Sequence, residues 1–409
     1  MNVNQYVVED EANFRVSPRI YSDPELYRSE MEAIFRRSWV YVGHESEVRE
    51  PGDYITTHVG EEPVIVSRDE KGEIHVLVNA CRHRAAVVCR EERGNSKAFR
   101  CPYHGWAYRN DGDLIGVAQR AGAYVDGALQ GVEGLHRAAR VDSYRGLIFC
   151  TFDPDGPSLI EHLGAVRKHV DLWADMSPVP EGRVLAPHRF EYAGNWKMQA
   201  ENGADGYHPG VLHQSAFDTL DHFGVRSREA SNEMLVIGKV RGFDGGHGIL
   251  EGGPVARLNP KLMASYREAL GERHDDARVE DILLRRHIFI FPNLYLMDGN
   301  VRSIHPRGPE HTEVRSYFLE LQGVDPAINE ERLRDLQRRL GTTGFIGPDD
   351  LETFAAVQTG SRSRSLEWMV LSRGLGREES LGDGEIVSVP SDETPQRSLY
   401  REWARRLSA

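Results

Sequence analysis

Cysteine is scarce in this chain. Four residues in 409, Cys81, Cys89, Cys101 and Cys150, cannot build the disulfide framework of a small secreted scaffold. No run approaches the roughly 18 consecutive apolar residues of a membrane span. The stretch Met1–Glu11 lacks a basic region followed by an apolar one, so no leader peptide is expected there. Positive charge is not in surplus either: 50 Lys and Arg against 63 Asp and Glu leave a net −13, which argues against a nucleic-acid-binding face. Internal repeats and low-complexity tails are also missing. What remains is an ordinary globular composition, 40% hydrophobic and 28% charged, long enough for two cores in a reducing, cytoplasmic setting.

Patterning divides the chain. Ser22 or Asp23 can cap a first helix, with Pro24 in its first turn and Tyr27, Met31, Ile34 and Phe35 recurring on one face. From about Trp39 short β-type runs take over. Val64–Val66 and Ile74–Val78 flank Asp69–Gly72 as a hairpin, and Gly146–Phe152 reads as a buried strand closed by Asp153–Pro157. Beyond it, Leu159–Trp173 is expected to be helical, Arg189–Tyr192 extended and Trp196–His213 mainly helical. Arg286–Met297, Val301–His305 and Val314–Leu321 read as successive strands of an antiparallel sheet; Ile328–Leu340 and Ser398–Leu407 read as helices. Segments 220–232 and 242–256 are Gly-rich or polar and read as loops. Gly242–Gly248 does not lead from a strand into a helix, so it is not a dinucleotide loop. The expected architecture is α+β, with a helical segment at 1–39, a small β domain at 40–155 and a larger mixed domain at 156–409.

Two clusters of ligand-type residues carry the chemistry. Cys81-x-His83 and Cys101-x-x-His104 are two close pairs, each offering one thiolate and one imidazole from β-rich sequence. Mixed Cys₂His₂ ligation fits a [2Fe–2S] cluster of the Rieske type, in which neutral imidazoles raise the potential relative to four thiolates. The alternative is a structural zinc site, but zinc fingers pair Cys with Cys and His with His. Cys89 and Cys150 lie outside the motif and read as small buried hydrophobes. The second cluster is Asp205, His208 and His213, a carboxylate and two imidazoles within nine residues. Two histidines and one carboxylate with open positions make the facial triad of non-haem Fe(II) oxygenases. Histidines five apart do not share a helical face, so Pro209-Gly210 must break the helix for the rings to converge. A lone His-Pro or Asp-Asp pair is ordinarily a surface or capping feature, and His44, His222, His247, His287 and His305 are read as structural.

Asn79–Arg84 and Cys101–Trp106 closely resemble the Rieske motif of aromatic-ring-hydroxylating oxygenase large subunits, with Ala85 where that family usually has Gly. Tyr21–Asp23, Trp39–His44, Pro292–Asp298 and Gly344–Glu352 follow in family order. Glu201–His208 and Pro348–Glu352 are especially similar to the benzoate and toluate dioxygenase group. The resemblance implies a Rieske domain joined to a helix-grip catalytic domain, with Cys81, His83, Cys101 and His104 on the cluster. It implies that Asp205 is not an iron ligand but a bridge from His208 to a Rieske histidine, His104, across a subunit boundary. The iron ligands would be His208, His213 and one of a late acidic pair, Asp350 before Asp349; Asn202 and Tyr207 would line the iron site, and Trp196 would pack beneath it. It also implies trimers, often with three small β subunits, served by an NADH-dependent flavin and iron–sulfur reductase.

The expected reaction uses dioxygen, admitted after the substrate, and adds both atoms to one face of an aromatic ring to give a cis-dihydrodiol. An aromatic carboxylate is the expected substrate, with Arg302 as its cationic contact and Phe345, Ile346, Val211, Leu212 and Asn293 as pocket liners. A neutral or amino-aromatic substrate, or monooxygenation or demethylation by the same machinery, stays open. A pure Rieske electron carrier would not need some 250 further residues, and a zinc-stabilised binding module would not need the second cluster.

Overall fold

A computed structural model of the protein describes residues 3–180, 182–224, 238–254, 258–341 and 344–408. The chain forms two compact units. One is continuous, Phe35–Leu159; the other joins the residues up to Ile34 with those from Ile160 onward.

The continuous unit is built from short antiparallel strands. Ile74–Val78, Glu62–Arg68, Asp53–Val59 and Arg93–Asn95 form one sheet in that order, and the hairpin across Asp69–Gly72 pairs Val64 with Val78 and Val66 with Val76. Asp69 builds the turn: its carboxylate accepts N–H groups from Lys71 and Glu73. Ala98–Arg100, Ala107–Arg109 and Leu114–Gly116 form a second sheet, and Val40–His44, Leu147–Thr151 and Arg140–Tyr144 a third. Tyr54, Ile65, Leu77, Phe99, Trp106 and Tyr108 fill the core against Cys81 and Cys101. Apolar side chains thus pack directly behind the two motif loops.

The other unit is centred on a ten-stranded antiparallel sheet. Its middle runs through His311–Glu320, Asn300–Gly308, Leu294–Met297, Leu284–Ile290, Gly248–Pro254 and Lys239–Phe243. The span Arg286–Met297 is two strands rather than one, because the chain turns at Phe291–Asn293 between Ile290 and Leu294. The reading of 242–256 as a loop is also corrected: Lys239–Phe243 and Gly248–Pro254 are paired strands. Glycine is there for proximity, since a Cβ on Gly242 would meet Ser398 Oγ at 2.1 Å on the helix that crosses the strand. Residues 225–232 and 255–256 of those two segments lie outside the described residues.

That helix, Thr394–Ser408, buries Leu399, Tyr400 and Trp403. The N-terminal segment is not simply helical. Val7–Glu9 and Phe14–Val16 pair with each other, and the latter with Met369–Val370. The helix Pro24–Glu30 follows, capped by Asp23, whose side chain accepts the N–H groups of Glu25 and Leu26. Glu30 ends this helix inside the core, where it pairs with Lys197 at 2.6 Å, both side chains fully buried. The indole N–H groups of Trp196 and Trp403 donate to the same carboxylate. First and last helices therefore clamp the helix Trp196–Asn202.

Candidate metal centres

The Rieske-type motif falls on two loops of parallel construction. After the strand Ile74–Val78, Ala85 N–H donates to Cys81 O and Cys81 N–H to Ala86 O; between two strands of the second sheet, Gly105 and Cys101 N–H donate to Cys101 O and Trp106 O. Ala85 holds a φ of +54°, the left-handed region that favours glycine. Its methyl costs about 1 kcal/mol there without breaking the turn. The two imidazoles meet edge to face, His83 and His104 centroids 4.5 Å apart, and His83 stacks on Trp106 at 5.3 Å. Both Cys81 and Cys101 are buried free thiols. Nδ1 of His83 and Nδ1 of His104 are buried and find no hydrogen-bond partner among the described residues. Two thiols and two orphaned imidazole nitrogens fit a [2Fe–2S] cluster, which would satisfy all four.

One contact there was not legible in the sequence. Tyr108 O–H lies 3.2 Å from Cys81 Sγ while its oxygen accepts the N–H of Arg82 at 3.1 Å. Burial, with the adjoining Cys81, pushes the phenol well above its ordinary pKa, so it stays a donor.

The second cluster gathers around the helix Trp196–Asn202. At its end Gly203 permits close approach: a Cβ would meet the Tyr295 ring at 2.8 Å, and Tyr295 O–H donates to Gly203 O. The chain then leaves the helix, and Pro209–Leu212 makes one turn between the histidines. This is the break their spacing requires, and the rings converge to 5.3 Å at 80°. The ligand atoms of His208, His213 and Asp350 all lie within 4.8 Å of one another. Asp350 sits in the first turn of the helix Gly347–Ser361, where free backbone N–H groups favour a carboxylate. Its Oδ1 is 3.6 Å from His208 Nε2 and 3.3 Å from His213 Nε2.

The other two aspartates take the far side of the rings. Asp349 Oδ2 is 3.3 Å from His213 Nδ1. Asp205 Oδ2 is 3.2 Å from His208 Nδ1, at an angle short of a formed hydrogen bond. Each imidazole thus has a carboxylate on Nδ1 and turns Nε2 towards Asp350, an arrangement that sets the tautomer of a metal-binding histidine. Burial opposes ionisation of Asp205, but the His208 imidazole and the N–H groups of Tyr207 and His208 outweigh it and hold the carboxyl below its ordinary range. Asn202 Nδ2 donates to Asp350 Oδ1 at 3.2 Å and lies 3.3 Å from His208 Nε2. Two imidazoles, one carboxylate and a neighbouring amide fit an Fe(II) with open positions.

Tyr207 does not join them. Its N–H donates to Asp205, but its ring is half-exposed under the Arg373 guanidinium, 4.0 Å from Cζ to centroid. Val211 and Phe345 are likewise exposed and line no wall of the cavity beside Asp350. That cavity is lined by Phe190, Gln199, Arg302, Leu340, Pro348 and Asp350, among others. Glu201, given no role of its own by the sequence, is partly buried and accepts the hydroxyls of Tyr21 at 2.7 Å and of Tyr400. Burial, with repulsion from Asp205, pushes its carboxyl up to about 7 against the pull of the tyrosines and Lys197.

Residues 38–132 match the model of the Rieske [2Fe-2S] domain, and residues 181–409 that of the ring hydroxylating alpha subunit (catalytic domain). The chain belongs to the ring-hydroxylating alpha subunits. This alpha subunit is 35% identical over 385 residues to the 2-halobenzoate 1,2-dioxygenase large subunit of Burkholderia cepacia, covering 88% of this chain and 80% of that protein. It is 32% identical over 420 residues to a benzene 1,2-dioxygenase subunit alpha of Pseudomonas putida, covering 98% and 92%. Among solved structures, naphthalene 1,2-dioxygenase from Rhodococcus sp. bound to indole superposes with a TM-score of 0.84 at 31% identity, over 96% of this chain and 94% of that one. The alpha subunit is therefore a Rieske-type oxidoreductase of α+β fold, and its family carries the cluster and a mononuclear iron in these two domains. Among the described residues no helix is long and apolar enough to cross a membrane.

Proposed function

We propose that this alpha subunit is the terminal oxygenase that adds both atoms of dioxygen to one face of an aromatic carboxylate's ring, giving a cis-dihydrodiol. The observation that carries the reading is the convergence of His208, His213 and Asp350 beside a cavity that also exposes a cationic side chain. The likeness to a relative named for 2-halobenzoate supports the acid, and the likeness to one named for benzene keeps a neutral ring as the second reading.

In this reading Cys81, His83, Cys101 and His104 hold the cluster, and His208, His213 and Asp350 hold iron. When bound, the cluster supplies single electrons and the Fe(II) binds and activates dioxygen. The chain's own side chains do the rest. Asp349 and Asp205 keep His213 and His208 in the tautomer that leaves Nε2 free. Asn202 holds the Asp350 oxygen in place. Asp205 links His208 to a Rieske histidine, His104, of a neighbouring copy, so a trimer, with or without small β subunits, completes the path. Electrons come from NADH through a separate flavin and iron–sulfur reductase, in the cytoplasm.

Product analysis with a surrogate reductase and a panel of aromatic acids and neutral arenes tests the reaction. Dihydrodiol acids are the expected products; oxidation of the neutral arenes alone would reject the acid. Metal analysis should find about three irons and two acid-labile sulfides per chain. Asp205→Asn should keep all of them and lose turnover, whereas loss of the mononuclear iron would make Asp205 a ligand.

A further inference from the structure

Five arginines of the described residues are buried: Arg285, Arg286, Arg302, Arg315 and Arg397. Four have a carboxylate in ion-pair contact, namely Asp298, Glu251, Glu313 and Glu378. This is what burial demands, because an uncompensated charge out of water is costly. Arg302 is the exception. It is 6% exposed, yet no described carboxylate lies within 4.0 Å of its guanidinium. Its Nε donates to Asn300 Oδ1 at 2.9 Å. Asn300 is itself fixed, its Nδ2 donating to Ser316 Oγ and Tyr317 O at 2.7 and 2.8 Å, so the acceptor holds Arg302 in one orientation. Phe190 supplies an aromatic face 5.8 Å from Cζ. These contacts position the guanidinium and leave its two terminal nitrogens for something else.

Arg302 and Asp350 are walls of the same cavity. We propose that Arg302 is the specificity-determining residue that anchors the substrate's carboxylate, fixing the ring against the metal held at Asp350. The assignment rests on the aromatic-acid reading above and adds the residue that enforces it. A fork of parallel N–H donors matches a planar carboxylate and discriminates against a neutral group of the same shape. Asp350 acts on Arg302 electrostatically but is not within ion-pair distance of it, its Oδ1 being directed to His208, His213 and Asn202.

The free space beside Asp350 is about 30 Å³, room for water. As it stands, that space is too small for an aromatic ring. Behind Leu340 and Gly341 lies a second cavity of about 140 Å³, lined by Leu185, Asn300, Phe318 and Leu333 among others.

The test uses the holoenzyme, anaerobic and without reductant, titrated calorimetrically with benzoate and with nitrobenzene, a neutral group of like shape. Wild type should bind benzoate roughly tenfold or more tighter than nitrobenzene. Arg302→Met should weaken benzoate about 10- to 100-fold and move nitrobenzene by less than about threefold, with Arg302→Lys between the two for benzoate. Benzoate affinity unchanged in Arg302→Met, in an enzyme that still oxidises benzoate, overturns the anchor and leaves the acid reading standing. Equal wild-type affinities overturn the anchor even if the variants fail to fold. A wild type that oxidises neutral arenes and refuses every acid overturns the acid reading itself, and the anchor with it.

Discussion

Removing one hydroxyl, in Tyr108→Phe, tests how the protein around Cys81 sets the ease with which the Rieske site accepts an electron. The hydroxyl is 3.2 Å from Cys81 Sγ, and its oxygen takes the Arg82 N–H, which polarises the O–H and strengthens it as a donor. A hydrogen bond to a charged partner contributes about 1.5–3 kcal/mol and a neutral one about 1. The added electron makes the acceptor more negative, so the bond favours the reduced state by about 1 kcal/mol. At about 59 mV per tenfold for one electron, Phe should lower the midpoint potential by roughly 40–60 mV. The variant also leaves Arg82 N–H without this acceptor, which costs about 1–3 kcal/mol of stability. An EPR-monitored redox titration reads the first effect and a thermal melt the second. If the variant melts lower, retains its EPR spectrum and shows an unshifted potential, the hydroxyl serves packing alone and the electronic reasoning fails.

Three further outcomes are expected. Asp350→Asn should lose the mononuclear iron while the Rieske spectrum persists; Asp349→Asn should retain iron but bind it about 10- to 100-fold more weakly, as for other groups behind a ligand, and iron content after dialysis against a chelator separates the two. Glu201 has a folded pKa of about 7 against an ordinary 4.5. A carboxyl raised on folding carries no penalty below pH 4.5, a growing one as the pH climbs to 7, and a constant one of about 3 kcal/mol above that. Glu201→Gln should therefore flatten the fall in melting temperature between pH 5 and 8, and an unaltered slope would mean that another group titrates there. Lys197→Met strands the Glu30 carboxylate in the core and should cost about 3–5 kcal/mol by denaturant unfolding; Glu30→Gln added to it should recover part of that loss.

Local pattern made much of this legible. Alternation located the hairpin across Asp69–Gly72, ligand spacing located both metal clusters, and Asp23 with Pro24 announced the first helix. Contacts set by long-range packing were not legible. Glu201 is an unremarkable polar residue until Tyr21 and Tyr400, 180 and 199 positions away, close on it. Tyr108 sits on a three-residue strand and looks like any core aromatic. Asp350 turns an oxygen towards both Nε2 atoms, and Asp349 towards His213 Nδ1, because of the phase of one helical turn. Glycines at 242 and 248 suggested a loop, whereas they let a helix cross a sheet closely. Val211 and Phe345, near the ligands in sequence, have exposed side chains and are not among the residues lining the cavity beside Asp350.

The clamp on the helix Trp196–Asn202 also orders events during synthesis. The cluster-bearing unit is one continuous stretch, Phe35–Leu159, so all its ligands and core are available on the ribosome while most of the chain is still unmade. The helix Trp196–Asn202, which leads into the two histidines, has no such independence. One of the two indoles on Glu30 and one of the two hydroxyls on Glu201 come from Trp403 and Tyr400, and Asp350 itself is late. A nascent chain can therefore be ready for its cluster long before it can retain iron, and a ribosome stalled short of residue 394 would display one metal site without the other.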